Sequence, residues 1–222
     1  MMNKVLRQFL RPLPRLVGWY LSGKRNYKYQ DLSLEVFPGV FHPGIFFSTK
    51  MLLQFVELQS LENSSVLELG AGTGIISLRA ARMGARVTAT DISQTAIFNI
   101  QRNAVINSIS LTTLHSDLFD NIPAAHFDWI LINPPYYPKK PRKNAEFAWY
   151  CGEHHEYFEK FFRGLRSFIT PVTHTIMVLS DVCDLQVIFR IGRDHGMAME
   201  KISEKNVWVD GKNYLFRIKP IA

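Results

Sequence analysis

The chain has 222 residues, 47% of them apolar, two cysteines and a formal net charge of +7. This length suits one α/β domain with a short extension, the apolar share supports a packed core rather than a disordered chain, and no apolar run of about 18 residues is present to form a transmembrane helix. With no Cys-x-x-Cys and no Cys/His pairing, neither a metal site nor a disulfide framework is expected, so Cys151 and Cys183 read as packed thiols in a reducing cytoplasm.

The charge is unevenly placed. Residues 1–30 hold seven basic residues (Lys4, Arg7, Arg11, Arg15, Lys24, Arg25 and Lys28) and no acid, which equals the whole formal excess. Such a patch attracts RNA, a ribonucleoprotein or an anionic surface, or serves as a solvated tail. Arg7, Arg11 and Arg15, with Pro12 and Pro14, break up any signal-peptide core. Residues 1–45 are expected to form a basic N-terminal extension, a helix followed by a loop or hairpin, with turns at Pro38-Gly39 and Pro43-Gly44. Residues 46–222 are expected to form the main domain.

From Ser65 onward, strand-like apolar runs alternate with helical patterns. Strands are expected at 66–69, 86–90, 111–114, 128–132 and 173–179, and helices at 75–83, from Ser93 as N-cap to about 107, at 153–168 and at 185–195. Two last strands, 197–203 and 214–218, are joined by a turn at Asp210-Gly211 and must pair antiparallel. The alternation predicts an α/β fold: a Rossmann-like, doubly wound sheet of seven strands, mostly parallel, with an antiparallel final strand.

Glu68-Leu69-Gly70-Ala71-Gly72-Thr73-Gly74 ends a strand and opens a helix. Its glycines permit positive φ and close approach to a ligand. The spacing is G-x-G-x-G, not the G-x-G-x-x-G of a pyrophosphate site, and Glu68 is poor company for phosphates. An acid there suits a ligand carrying an ammonium or sulfonium charge, and argues against a nicotinamide oxidoreductase. Asp91 ends the next strand, 23 residues after Glu68, where an acid bonds ribose hydroxyls. Asp117 follows the third strand and is placed to accept from an adenine amino group, with Ile92 and Leu118 sandwiching the ring.

Asn133-Pro134-Pro135-Tyr136 leaves the fourth strand. The prolines fix φ near about −65° and remove two donors while keeping their carbonyls. The Asn133 side-chain oxygen and the Pro134 carbonyl can each take one hydrogen of a planar amino group, directing its lone pair outward, while Tyr136 stacks on the group. Such a site needs alignment rather than a strong base. Lys139, Lys140, Arg142 and Lys143 follow directly and read as phosphate contacts or as a surface loop. His155-Glu156-Tyr157-Phe158-Glu159 fails the H-E-x-x-H zinc pattern at its last position, and Phe158, Phe161, Phe162 and Phe168 read as core.

From about Phe46 to Ala222 the chain resembles the class I S-adenosylmethionine-dependent methyltransferases of the "small domain" group. That group includes HemK-type protein-glutamine methyltransferases and several rRNA and tRNA adenine or guanine N-methyltransferases. The resemblance rests on Glu68 to Gly74, Asp91, Asp117 and Asn133 to Tyr136, four motifs in order. It implies S-adenosyl-L-methionine bound by Glu68, Gly70, Ala71, Gly72, Thr73, Gly74, Asp91, Ile92, Asp117, Leu118 and Asn133. It further implies methylation of a planar nitrogen at Asn133, Pro134, Pro135 and Tyr136, with no metal. The stretch from Val36 to Pro43 with Ser48-Thr49, and Trp149 to Glu153 with Tyr157-Phe158, are similar to HemK-type flanks, though Cys151 replaces a glycine and the long helical N-terminal domain of those enzymes is replaced by the basic extension. The acceptor is then an exocyclic amine of rRNA or tRNA (adenine N6 or guanine N2), favoured by the basic segments, or a protein glutamine, favoured by the flanks. A non-catalytic, cofactor-binding subunit is the alternative of another class.

Overall fold

The computed structural model describes residues 23–208 and 211–221. The helix expected before residue 23, the cations Lys4 to Arg15, and Asp210 of the last turn lie outside the described residues. Nine strands and five α-helices are present among the described residues, in the order β1 (Arg25–Tyr29), β2 (Leu32–Val36), α1 (Phe47–Glu57), β3 (Ser65–Leu69), α2 (Ile75–Arg82), β4 (Arg86–Asp91), α3 (Gln94–Ile106), β5 (Thr112–His115), β6 (Trp129–Ile132), α4 (Glu156–Leu165), β7 (His174–Ser180), α5 (Leu185–Asp194), β8 (Met197–Val207) and β9 (Gly211–Pro220).

Strands β3 to β9 form one sheet in the order β5-β4-β3-β6-β7-β9-β8. The first five strands of that order are parallel, whereas β9 runs antiparallel to both of its neighbours. This is the doubly wound sheet with an antiparallel final strand that the alternating pattern predicts. The terminal hairpin is longer than expected, because polar residues of β8 beyond Ser203 pair with β9 at a solvent-facing edge. A register shift lies between Lys201 and Ser203.

The period of two along each buried strand sends alternate side chains to opposite faces. Leu67, Leu69, Ile130, Ile132, Met177 and Leu179 pack under α4 and α5 with Phe158, Phe161 and Phe162, which are fully buried as core residues. Val66, Leu131, Ile176 and Val178 face the other way, toward α1 and α2. Glu68 shares the parity of Val66, so its carboxyl points toward the start of α2. Helix α1 carries no start signal in the sequence. Its N-cap is Phe46, with no side-chain cap bond and no acid in the first turn; six of its eleven residues are buried, and packing rather than capping holds it.

The β1–β2 hairpin stands outside the main sheet and turns at Gln30-Asp31, with Gln30 left-handed at φ 51°. Helix α3 presents Asn99, Asn103 and Asn107 at i, i+4 and i+8, one face of the helix. Their Oδ1 atoms accept from the backbone N–H groups of Phe37 (3.0 Å), Glu35 (2.9 Å) and Ser33 (2.9 Å), alternate residues along β2 and one position past its end. In return Asn99 and Asn103 donate to the Glu35 carbonyl and Asn107 to that of Ser33. The side chains thus replace a neighbouring strand. Asn103 also donates to the Thr73 carbonyl at 2.9 Å, tying the hairpin to the glycine loop. Replacing the fully buried Asn103 by alanine strands the Glu35 N–H and the Thr73 carbonyl. Urea titration of Asn103→Ala is expected to show a loss of about 2–3 kcal/mol with an unchanged m value.

Candidate active site

Winding of the sheet reverses at β3, whose neighbours are β4 on one side and β6 on the other. A crevice opens at such a switch point beyond the carboxyl ends of the strands. Leu69 pairs with Ile132, so Gly70 and Asn133 leave the sheet side by side. A cavity of about 340 Å³ lies over this crevice, within the usual size of small-molecule sites, about 300–1,000 Å³.

One half of the cavity is built by the glycine loop. Gly70, Gly72 and Gly74 all adopt left-handed φ, at 68°, 56° and 78°. A Cβ on Gly70 would project into open space, while one on Gly74 would meet Ile100 Cγ2 at 2.9 Å. Gly74 is therefore required by packing on α3 as well as by backbone geometry, and it does not line the cavity. Asp91, at the end of β4, accepts from the N–H of Gly72 (2.9 Å) with one oxygen and from the N–H of Ser93 (2.8 Å) with the other. Burial raises its pKa, opposed by those two bonds. Glu68 is 4% exposed and lines the cavity. Its Oε2 accepts from both the backbone N–H and the hydroxyl of Ser77. Burial pushes the Glu68 carboxyl up to about 8, against the pull of Ser77 and with a further push from Asp91. A buried acid of raised pKa beside open space, at the foot of a glycine cradle, fits a cationic ligand group.

The other half is built by the loop after β6. Pro134 and Pro135 are buried, and the Tyr136 hydroxyl donates to Asn133 Oδ1 at 3.0 Å. Asn133 Nδ2 faces the hydroxyls of Ser48 and Thr49, at 3.4 and 3.3 Å, on the first turn of α1. Asn133 is therefore oriented from both ends of its amide. Residues 137–151 then make an excursion closed by Tyr137 N–H to Trp149 carbonyl and Cys151 N–H to Tyr137 carbonyl, each 2.9 Å. The excursion returns Phe147 and Trp149 to the cavity. Trp149 meets Phe41 and Phe46 of the segment between β2 and α1, with ring centroids 5.1 and 5.3 Å apart, and Phe41 and Phe46 are 5.4 Å apart. This aromatic triangle joins the two segments over the site.

The structure gathers Glu68, Gly70, Ala71, Gly72, Thr73, Asp91, Ile92, Asn133, Pro134, Pro135 and Tyr136 around one cavity. Other expected site residues stand off it. Asp117 is half-exposed and paired with Lys160 Nζ at 2.6 Å, which also holds Asp120. Leu118 is left-handed (φ 53°) and buried in the core with Phe119, so only Ile92 of the expected ring sandwich lines the cavity. Lys139, Lys140, Arg142 and Lys143 are exposed on the outside of the excursion, with Lys139 Nζ 4.9 Å from the Tyr150 ring centroid. Both cysteines are buried and free, and burial pushes their thiols up, to about 11 for Cys151 and about 12 for Cys183. Tyr157, Ser180 and Asn213 also line the cavity. Sequence spacing did not mark Ser180 or Asn213, since one is a strand end and the other sits in a hairpin.

The model of the family "Methyltransferase small domain" matches residues 31–149, more than half of the chain, and the chain belongs to this family. A candidate protein N5-glutamine methyltransferase of Methanocaldococcus jannaschii is 36% identical over 110 residues, covering 49% of this chain and 53% of its own. The ribosomal RNA small subunit methyltransferase C of Actinobacillus pleuropneumoniae serotype 7 is 32% identical over 116 residues, covering 51% of this chain and 35% of its own. The chain thus spans about half or less of the length of these curated relatives. Among solved structures, the 16S rRNA N2 G1207 methyltransferase of T. thermophilus, in complex with AdoMet and guanosine, superposes with a TM-score of 0.67 at 21% identity, covering 88% of this chain and 50% of that one, a likeness of fold. Among the described residues no helix is long and apolar enough to cross a membrane.

At pH 7 a carboxyl titrating near 8 is mostly protonated, and a cation placed against it favours the ionised form. Binding of S-adenosylmethionine is expected to release close to one proton at pH 7, and to tighten up to about tenfold per pH unit toward pH 8. Calorimetry in buffers of different ionisation enthalpy measures this release. Glu68→Gln should abolish it, and equal release in both proteins would remove the role of Glu68.

Proposed function

We propose that the protein is an S-adenosylmethionine-dependent N-methyltransferase acting on an exocyclic amine, adenine N6 or guanine N2, of an RNA of the translation machinery. The observation that carries this reading is Asn133 set beside the glycine loop, its amide oriented by Ser48, Thr49 and Tyr136, under an aromatic roof. Family membership supports the methyl transfer, the relative named for N5-glutamine supports a nitrogen acceptor in a planar group, and the relative named for ribosomal RNA supports an RNA substrate.

The glycine loop and Glu68 would hold the cationic amino-acid end of the methyl donor, and Asp91 its ribose, with Ile92 beside the adenine. The donor supplies an electrophilic methyl group on a sulfonium. Asn133 Oδ1 and the Pro134 carbonyl each accept one amino hydrogen, and the Pro135 ring keeps that carbonyl in place. Tyr136 both orients Asn133 and faces the planar acceptor. The nitrogen gains the methyl carbon as the carbon–sulfur bond breaks, and the surplus amino proton passes to solvent, so no strong base is needed. Two oriented dipoles near the nitrogen stabilise the positive charge that develops there.

In this reading residues 1–45 act as a basic extension that, with Lys139, Lys140, Arg142 and Lys143, draws RNA phosphates toward the domain of residues 46–222, and the protein works in the cytoplasm. A second reading, a protein-glutamine N5-methyltransferase, is favoured by the M. jannaschii relative. Label from a tritiated donor, offered to an RNA pool and to a glutamine-containing peptide, separates the two. Asn133→Ala should lower kcat about 100-fold or more while the dissociation constant for S-adenosylmethionine changes less than about threefold. Unchanged turnover would remove Asn133 from the chemistry.

A further inference from the structure

The cavity reaches beyond the two strands that flank the crevice. Its floor follows the sheet edge from Asp91 on β4, past Glu68 on β3 and Asn133 after β6, to Ser180 on β7 and Asn213 on β9. Strands lie about 4.8 Å apart, so the floor is about 19 Å long, and β9 stands about 10 Å from β6. The glycine loop, Glu68 and Asp91 account for one half. The half on the β7–β9 side has no role in the reaction as described.

Ser180 and Asn213 are cross-strand partners, so their side chains share one face at that end. They are 3% and 2% exposed, yet both line the cavity. Buried polar groups ordinarily find good partners. These have poor ones: Asn213 Nδ2 reaches the Gly211 carbonyl at 3.5 Å, and Ser180 Oγ meets the Val182 N–H at 3.4 Å and lies against the Cys183 thiol. Asn213 Oδ1 makes no hydrogen bond among the described residues. Among the described residues of the hairpin, the long contact with Gly211 is all that engages this amide.

We propose that Asn213, with Ser180 beside it, reads the far edge of the methyl acceptor, and that this edge belongs to guanine. The inference rests on the RNA N-methyltransferase reading and names its base. An amide offers one acceptor and one donor in a plane. Next to its amine, guanine presents N1–H and then O6, a donor and an acceptor, which Asn213 Oδ1 and Nδ2 complement, with the Ser180 hydroxyl as a second donor to O6. Adenine held by N6 presents only ring acceptors and leaves Oδ1 unpaired. A glutamine side chain ends at its amide and reaches neither residue. The spacing agrees: a guanine edge of about 4.6 Å from N2 to O6, with a hydrogen bond of about 2.9 Å at each end, spans about 10 Å.

The test uses the full-length protein, tritiated S-adenosylmethionine and a pool of random-sequence RNA oligonucleotides. Wild type should label guanine, and inosine-containing RNA, which keeps N1–H and O6 but lacks the amine, should inhibit competitively. Asn213→Leu should raise KM for RNA about 10- to 100-fold and lose inhibition by inosine, with kcat and the affinity for S-adenosylmethionine little changed. Asn213→Asp keeps the volume and the acceptor but not the donor, and should raise KM about tenfold, which holds the test open if the leucine variant does not fold. Label on adenine, or wild-type KM and inosine inhibition in both variants, would overturn the assignment while leaving N-methylation intact. No label on RNA, or label only on a glutamine peptide, would overturn the RNA reading and this inference with it.

Discussion

The reversal of strand order at β3 is the constraint on which the site depends. Two parallel strands that are neighbours in the sheet, β3 and β6, send their following loops away on either side. The glycine loop and the Asn-Pro-Pro-Tyr loop are 59 residues apart in sequence from Gly74 to Asn133, yet they start from adjacent backbone positions. Any shift in the β3–β6 register by one residue would turn Glu68 to the opposite face and away from Ser77. The two halves of the cavity are therefore placed relative to each other by sheet hydrogen bonds rather than by the loops.

Two buried acids on that frame have different work. Asp91 spends both oxygens on backbone N–H groups, of Gly72 and of Ser93, and so fixes the glycine loop to the start of α3. Among the described residues Glu68 is hydrogen-bonded by Ser77 alone, and burial pushes its carboxyl up to about 8. The first acid ties the scaffold together with one bond to each oxygen and keeps a second lone pair on each, and the second has electrostatic capacity that a cation would answer. The same contrast recurs between Asn133, whose amide is oriented from both ends, and Asn213, whose Oδ1 accepts no hydrogen bond among the described residues.

The order of apolar runs and turns was enough to read the main sheet, because buried parallel strands leave short continuous apolar segments such as Trp129-Ile130-Leu131-Ile132. The glycine loop and the Asn-Pro-Pro-Tyr loop were legible because unusual backbone demands restrict residue choice. Helix α1 was not, since Phe46 gives no capping signal. The Asn99, Asn103 and Asn107 ladder was present at helical spacing, but polar residues at such spacing ordinarily mark a solvated face. Asp117 shows the converse: its position matches a motif, whereas its partner Lys160 lies 43 residues away and sequence order gives no hint of it. The aromatic triangle draws Phe41 and Trp149 from segments that only the closed excursion brings together.

The asparagine ladder also sets its own length. Four residues of helix rise about 6.0 Å, while two residues of strand advance about 6.8 Å, so the rungs drift like the marks of a vernier scale. Centred on Asn103, the first and third rungs are out of step by about 0.8 Å, which side-chain rotation absorbs within normal hydrogen-bond lengths. A further rung at either end would have to absorb about twice that. The clamp runs out at Phe37, one residue past β2, and the chain leaves α3 where Pro38-Gly39 carries it to the cavity. The sequence keeps to that limit: the next helix position toward the roof, four residues before Asn99, is Thr95, which has no amide to offer, and beyond Asn107 the helix itself has ended.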